Sequence, residues 1–215
     1  MTTLYATPLS ANARKAQAAV AELGLDVDVR LVNVYAGEGR SAEYLRVHPE
    51  GKVPALVDGA LTLTESNAIL VHLAEVHAGG RLFPRDAAER ATILSWLFWE
   101  AAHWQPALTT VLAGFVGHAL LPEHVPAPGA PPHWKHEPLV ACLGRLETHL
   151  SGRGWLVGES PSIADLSVGG MTTYLAAAGF PFDAFPGFAA WHARLEGLDG
   201  WRATATPPWD GGQRA

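Results

Sequence analysis

The sequence has 215 residues, of which 48% are hydrophobic and 17% are charged. This length and hydrophobic content are enough to bury a core, either as one large domain or as two small ones. Its net charge of −6 argues against nucleic acid as the main partner, because such proteins favour a basic patch. The single cysteine, Cys142, excludes an internal disulfide. The sequence shows neither a secretory leader pattern nor a run of eighteen apolar residues, so we expect no membrane span and a cytoplasmic location.

The N-terminal part of the chain shows alternating strand and helix patterns. The hydrophobic spacing predicts, in order, a strand at 4–6, a helix at 13–23 ended by Gly24, a strand at 27–34, a short helix at 41–47, strands at 55–57 and 61–63 around a turn at Asp58-Gly59, and a helix capped by Ser66. The first three elements form a βαβ unit, whose strands should be parallel. Residues 1–77 therefore have the element order of a thioredoxin-like domain.

The rest of the chain shows only helical patterns. Residues 78–86 are rich in turn-forming residues and are predicted to be a linker, and residues 87–215 to be an all-helical domain. The expected elements are one or two helices over 87–120, a Pro-rich loop over 121–133, helices at 139–150, 163–178 and 188–195, and a Pro- and Gly-rich tail from Trp201. The predicted fold is an α/β domain followed by an all-α domain.

Four segments together resemble a known family. They are LYATPLSANARKA (4–16), HPEGKVPALVDG (48–59), LTLTESNAILVHLAE (61–75) and PSIAD (161–165). In this order and spacing the chain resembles the cytosolic glutathione transferases, especially bacterial members related to the theta and delta classes. The resemblance implies an enzyme of detoxification that takes glutathione as co-substrate, binds a small hydrophobic electrophile and forms a homodimer.

Ser10 and Asn12 are the candidate catalytic residues. A free thiol has a pKa of about 8.5, so a glutathione transferase must lower that value to hold a thiolate at neutral pH. Ser10 lies between the first strand and the first helix, where a hydroxyl donor and a helix N-terminus both act. The resemblance implies that Ser10 donates to the glutathione sulfur. There are two alternatives to this role. Ser10 caps the helix and does no more, or Asn12 activates the sulfur instead.

Two further segments, Lys52-Val53-Pro54 and Glu65-Ser66, carry expected roles. The resemblance implies a cis Val53-Pro54 bond, with the Val53 backbone pairing with the cysteinyl backbone of glutathione and Lys52 reaching its glycyl carboxylate. The helix that begins at Ser66 offers unpaired N–H groups to the γ-glutamyl carboxylate, and Glu65 can pair with the amino group. The alternatives are a trans proline that opens a strand, a surface lysine and a plain capped helix.

The segment from Ser162 to Asp165 is a capping box with aspartate at the third helical position. We assign it to folding rather than to chemistry. Asp165→Ala is expected to lower stability by roughly 1 kcal/mol or more while leaving glutathione contacts intact.

The electrophile site is expected to be apolar and to lie against the helical domain. Trp96, Trp99 and His103 are candidates, as are residues 111–118, although core or dimer packing is the stronger explanation for any single one of them. His133 and His136 lack a clear third ligand, so we predict no metal.

Other functions remain open at this point. A glutathione-dependent isomerase, dehalogenase, ether-cleaving enzyme or peroxidase would use the same thiolate, and the fold does not separate them. A non-catalytic binding protein of the same family is a further alternative.

Overall fold

The computed structural model describes residues 1–8, 10–77, 79–120 and 126–205, with the backbone alone at 119–120. Parts of the predicted linker, Pro-rich loop and tail (78, 121–125 and 206–215) lie outside these residues. The strands and helices are β1 Thr2–Ala6, α1 Ala11–Leu23, β2 Asp28–Leu31, β3 Ala55–Asp58, β4 Leu61–Leu63, α2 Ser66–His77, α3 Ala87–Trp99, a π-helical turn at Glu100–Trp104, α4 Gln105–Leu120, α5 Glu137–Leu150, α6 Ile163–Gly170, α7 Pro186–Glu196 and α8 Asp199–Ala203.

A four-stranded sheet in the order β2-β1-β3-β4 forms the centre of the N-terminal part. Strand β1 pairs parallel with β2 and antiparallel with β3, so that Leu4 lies opposite both Val29 and Leu56. Strands β3 and β4 form a hairpin in which Asp58 pairs with Leu61, so its loop lies one residue later than predicted. The sheet and the helical second part confirm the predicted fold class, whereas the domain boundaries stay a prediction.

The strand predicted over 27–34 is shorter than expected. It ends at Leu31, and Val34 begins a 3₁₀ turn instead. The reason is a local cap, because the side chain of Asn33 accepts the N–H of Ala36 at 3.0 Å. The alternation of apolar residues continues past Leu31, so it predicts too long a strand, whereas the Asn33 side chain favours a turn there.

The helix predicted over 163–178 also ends early. Helix α6 stops at Gly170, and a 3₁₀ turn follows over Met171–Tyr174. The hydroxyls of Thr172 and Thr173 each donate to the carbonyl three residues earlier at 2.7 Å, which favours the tighter turn.

Two short elements differ as well. The helix predicted at 41–47 is a 3₁₀ turn at Tyr44–Arg46. Helix α8 was not predicted, since five residues give too short a periodic pattern. Its Trp201 is fully buried, and the N–H of Gly200 donates to Glu22 of α1 at 2.6 Å. Tertiary contact with α1 therefore stabilises α8.

Tryptophans form much of the shared core. Trp104, Trp191 and Trp201 are fully buried in one cluster that also contains residues of α1 and the sheet. Each indole N–H has an acceptor, at 3.0 Å for Trp104 and at 2.9 Å for the other two. Their large apolar area is thus buried without an unsatisfied donor.

The predicted capping box at the start of α6 is present. Asp165 accepts the backbone N–H of Ser162 at 2.9 Å, and the Ser162 hydroxyl accepts the N–H of Ala164 at 3.2 Å. The buried Asp165 carboxylate also accepts the N–H of Leu156 and the indole N–H of Trp191, both at 2.9 Å. Burial raises the pKa of Asp165, and these donors oppose the rise. The residue therefore joins a loop and α7 to α6 as well as capping it.

A buried ion pair joins the sheet-containing part to the helical part. Lys15 Nζ of α1 lies 2.8 Å from Glu100 Oε1 in the π-helical turn, and both side chains are fully buried. Asn67 of α2 donates to Glu100 Oε2 at 3.0 Å, and Ser167 of α6 donates to Asn67 at 2.7 Å. Burial lowers the pKa of Lys15, while Glu100 opposes that shift.

Lys15→Met is expected to reduce the free energy of unfolding by about 3 kcal/mol, because it leaves the Glu100 carboxylate buried without its cation. Chemical denaturation measures the change. The double variant Lys15→Met/Glu100→Gln should recover part of the loss, since neither side chain is then charged. The exposed pair of Arg30 and Asp28 supplies the control: Arg30→Ala should leave stability unchanged. Equal effects of Lys15→Met and Arg30→Ala would contradict this role.

Candidate active site

Ser10 is the N-cap of α1. Its backbone is extended, with φ −97° and ψ 115°, and its hydroxyl oxygen accepts the N–H of Ala13 at 3.2 Å. A hydroxyl that accepts one hydrogen bond still has its own proton to donate. Capping and donation to a ligand are therefore compatible at Ser10, which is only half-buried.

The start of α1 favours an anion. The first turn of α1 contains no acidic side chain, so the positive end of the helix dipole is not neutralised there. Backbone N–H groups of the first turn have no partner within the helix. A negative charge placed beside the Ser10 hydroxyl would be stabilised by both effects.

The starts of α1 and α2 are in contact. The Ser66 hydroxyl lies 3.4 Å from Oδ1 of Asn12, to which it donates. Ser66 is the first residue of α2 rather than its cap, and Glu65 immediately precedes the helix. The structure thus brings four of the predicted residues to one place: Ser10, Asn12, Glu65 and Ser66.

The Val53-Pro54 peptide bond is cis, as expected. It directly precedes β3, whose first residue, Ala55, pairs with Tyr5 of β1. Strand β1 leads into the loop before α1, so Val53 lies at the same end of the sheet as the loop that contains Ser10.

Lys52 lies next to this bond on the surface. Its side chain is 70% exposed and forms an ion pair with Glu50, and its carbonyl oxygen accepts the Tyr44 hydroxyl at 2.6 Å. The pairing with Glu50 raises the pKa of Lys52. Lys52 is therefore charged and accessible, and Tyr44 fixes its backbone.

A cavity of about 310 Å³ opens between the start of α1 and helix α4. Ser10 and Asn12 form one wall. The other walls are mainly apolar and come from α4, the turn after β2 and the turn after α6; they consist of Tyr35, Leu108, Leu112, Val116, Met171 and Tyr174, among others. Leu112 and Val116 belong to the segment 111–118 that the sequence singled out.

Tyr35, Met171 and Tyr174 were not predicted to line this cavity. They come from separate turns, and no spacing in the sequence connects them to Ser10. Burial raises the pKa of both tyrosine hydroxyls, so the phenols stay protonated at neutral pH. They add polar groups to an otherwise apolar lining.

The three aromatic candidates for the electrophile site lie elsewhere. Trp96 and Trp99 are buried, with ring centroids 5.1 Å apart. Trp99 and His103 border a different cavity of about 460 Å³, together with Arg145 and His136. None of the three lines the cavity beside Ser10.

Comparison with known proteins identifies two family domains in the chain. Residues 1–75 match the family model of the glutathione S-transferase N-terminal domain, and residues 106–194 match that of the C-terminal domain. The chain is 34% identical over 175 residues to glutathione S-transferase F10 of Arabidopsis thaliana, covering 80% of each chain.

Solved structures give the same result. A possible glutathione S-transferase from Rhodopseudomonas palustris superposes with a TM-score of 0.75 at 30% identity, covering 93% of this chain and 95% of that one. A glutathione S-transferase-I bound with lactoylglutathione gives a TM-score of 0.80 at 29% identity, with coverage of 95% and 98%.

With both family domains matched and relatives above 30% identity, the chain belongs to the glutathione S-transferase family and is an enzyme of that class. The theta- or delta-like subclass stays a prediction. Among the described residues, no helix is both long and apolar enough to cross a membrane.

Proposed function

We propose that this transferase activates the glutathione thiolate with the Ser10 hydroxyl, for attack on a small hydrophobic electrophile. One observation carries the proposal: Ser10 caps α1 and borders the apolar cavity between α1 and α4. A sulfur bound beside Ser10 would therefore face the electrophile directly.

Thiolate activation follows from two effects at the same point. The Ser10 proton is available for a charge-assisted hydrogen bond to sulfur, and the N-terminus of α1 favours negative charge. Both stabilise the ionised form of the thiol and lower its pKa below the free value of about 8.5. Asn12 is held by Ser66, so we assign it a positioning role for the sulfur.

The rest of glutathione would extend away from the cavity. Its γ-glutamyl carboxylate fits the start of α2, whose Ser66 is in contact with Asn12, and Glu65 would pair with the amino group. The Val53 backbone would pair with the cysteinyl backbone, and Lys52 would exchange Glu50 for the glycyl carboxylate. Each of these pairings matches an ionised or polar group of glutathione with its complement.

The electrophile would occupy the cavity of about 310 Å³, which suits a small molecule. The sulfur attacks an electrophilic carbon, a carbon–sulfur bond forms, and the leaving group departs with its electron pair. Proximity supplies much of the rate, because both reactants are held in one geometry. Tyr35 and Tyr174 are neutral donors that could stabilise charge on the leaving group.

Calorimetric titration with reduced glutathione tests binding, and conjugation to an activated aryl halide tests catalysis. We expect one site per chain and conjugation at a rate above that of the free thiol. Absence of binding at millimolar glutathione would rule out the proposal.

The proposal also places the chain in the cytoplasm, whose reducing conditions keep thiols free.

We also propose that the chain forms a homodimer through an apolar groove formed by β4, α2 and α3. The groove has a volume of about 640 Å³ and is lined by Leu61, Val71, Val76, Leu94 and Phe98, among others. Phe98 is 72% exposed and Val76 58% exposed, which is unusual for such large apolar side chains unless a partner covers them. A second copy offers a surface of the same chemistry.

Phe98→Glu is expected to shift the dimer to monomer, because burying two carboxylates at a shared apolar interface is unfavourable. Analytical ultracentrifugation measures the change, expected as at least a hundredfold weaker self-association, or about 2.7 kcal/mol. Val140 on α5 is 46% exposed and lies outside the groove, so Val140→Glu is the matched control. A Phe98→Glu protein that remains dimeric would show that this face is not the interface.

A further inference from the structure

Three side chains with metal-ligating atoms meet at the far end of α2. Asp58 ends β3, His72 lies in α2, and His77 is the last residue of that helix. The carboxylate oxygen of Asp58 and the ring nitrogens of the two histidines all lie within 4.8 Å of one another, close enough to hold one metal ion.

The carboxylate is already oriented toward both imidazoles. The Thr2 hydroxyl donates to Asp58 Oδ1 at 2.8 Å, which leaves Oδ2 for the histidines. His72 Nε2 lies 2.8 Å from Oδ2, and His77 Nε2 lies 3.5 Å from the same oxygen. A hydrogen bond that fixes a ligating carboxylate in this way is a usual companion of metal sites.

These separations suit a first-row divalent metal. Zinc bonds of about 2.0–2.1 Å to nitrogen and oxygen place tetrahedral ligand atoms about 3.4 Å apart. The 3.5 Å separation between His77 Nε2 and Oδ2 matches that value, and the 2.8 Å separation between His72 Nε2 and Oδ2 is about 0.6 Å shorter. Because all three ligand atoms lie within 4.8 Å of one another, side-chain rotation can bring them to equal distances around one ion. Imidazole and carboxylate groups both bind zinc and other divalent first-row transition metals. The negative carboxylate also offsets part of the positive charge of the metal ion.

The cluster is also reachable from solvent. The side chains of Asp58, His72 and His77 are 22%, 17% and 31% exposed. Three protein ligands would leave one tetrahedral position for water. His72 also borders the apolar groove formed by β4, α2 and α3, so the cluster lies at the edge of that groove.

We propose that Asp58, His72 and His77 form a binding site for Zn²⁺ that clamps the β3–β4 hairpin to the end of α2. The site does not depend on the proposed reaction. Ser66 and His77 stand at opposite ends of α2, and the eleven helical steps between them span about 16 Å along the axis. Sequence spacing did not predict the site, since a pair five residues apart on a helix is not a metal-binding motif and the third ligand comes from a strand.

The test uses the full chain without an affinity tag, freed of metal by a chelator and then titrated with ZnCl₂ by calorimetry. The expected result is one Zn²⁺ per chain, with a melting temperature that rises as zinc is added. Titration with CoCl₂ should give the visible d–d absorption that is typical of four-coordinate Co²⁺.

His77→Gln is the informative variant, because it removes one ligand and leaves the hydrogen bond between His72 and Asp58. Zinc affinity should fall at least about tenfold, and the zinc-dependent rise in melting temperature should disappear. The double variant His133→Gln/His136→Gln is the matched control, and should bind zinc as the wild type does.

Three results would overturn the proposal. They are absence of binding at millimolar zinc, unchanged affinity in His77→Gln, and loss of binding in the His133→Gln/His136→Gln control. Circular dichroism of each variant checks that it is folded, so a loss of affinity reports the ligand and not the fold.

Discussion

Ser10→Ala is expected to lower kcat/KM for glutathione conjugation by roughly 100-fold. A hydrogen bond to a charged acceptor contributes about 1.5–3 kcal/mol, and the Ser10 hydroxyl is proposed to donate one to the thiolate. Without it, the pKa of the bound thiol should rise by about one to two units. Thiolate absorbance in the ultraviolet, followed as a function of pH with glutathione bound, measures that rise directly, while calorimetric binding of glutathione should persist.

The same residue caps α1, so a structural effect has to be separated from a chemical one. Ser10→Gly removes the hydroxyl but costs only a few tenths of a kcal/mol as a cap, whereas alanine costs about 1 kcal/mol. Equal losses of activity in the two variants would assign the loss to the hydroxyl. Ser10→Thr keeps a hydroxyl and should retain part of the activity.

Asn12→Ala addresses the remaining alternative for sulfur activation. Asn12 is in contact with Ser66 and borders the cavity, so its loss should affect glutathione affinity more than the thiol pKa. Wild-type activity in Ser10→Ala together with a hundredfold loss in Asn12→Ala would reverse the two assignments.

Asp165→Ala is expected to have the largest effect on stability, a loss on the order of 5 kcal/mol in the free energy of unfolding. The sequence alone suggested about 1 kcal/mol for a helix cap. The structure adds the N–H groups of Leu156 and Trp191 to the donors left without an acceptor, and each unsatisfied buried donor costs about 1–3 kcal/mol. Urea denaturation of the purified variant measures the loss.

Two variants separate the capping role from the wider one. Asp86 caps α3 through the N–H groups of Ala88 and Glu89 on the surface, so Asp86→Ala should cost only about 1 kcal/mol. Asp165→Asn keeps one acceptor oxygen and should fall between the two. Glutathione affinity per folded molecule should not change in any of them. A loss in Asp165→Ala no larger than in Asp86→Ala would show that the contacts to the loop and to α7 contribute little.

Local patterns predicted much of the secondary structure. Helical spacing correctly indicated α1, and short apolar runs beside turn residues correctly indicated β1, β3 and β4, because strand and helix periods are short and each is complete within a few residues. The prediction was wrong where local side chains competed with the pattern. Asn33 caps a turn inside the predicted second strand, and the threonines after Gly170 tighten the predicted helix into a 3₁₀ turn.

The candidate site divides in the same way. Ser10 and Ser66 were predicted from positions at helix starts, which are local features with a sequence signature. The wall of the cavity was only partly predicted. Tyr35 and Tyr174 reach it from separate turns, and no period links residues that far apart in the chain.

The sequence by itself determined the family, the order of the strands and of the longer helices, and the identity of the serines near the starts of α1, α2 and α6, since motifs and short periods encode these. Only the tertiary structure decided which distant side chains meet. It placed Lys15 against Glu100, buried Trp201 on α1 and brought Asp58 to His72 and His77. The physical reason is that packing of helices against the sheet joins positions whose separation along the chain carries no periodic signal.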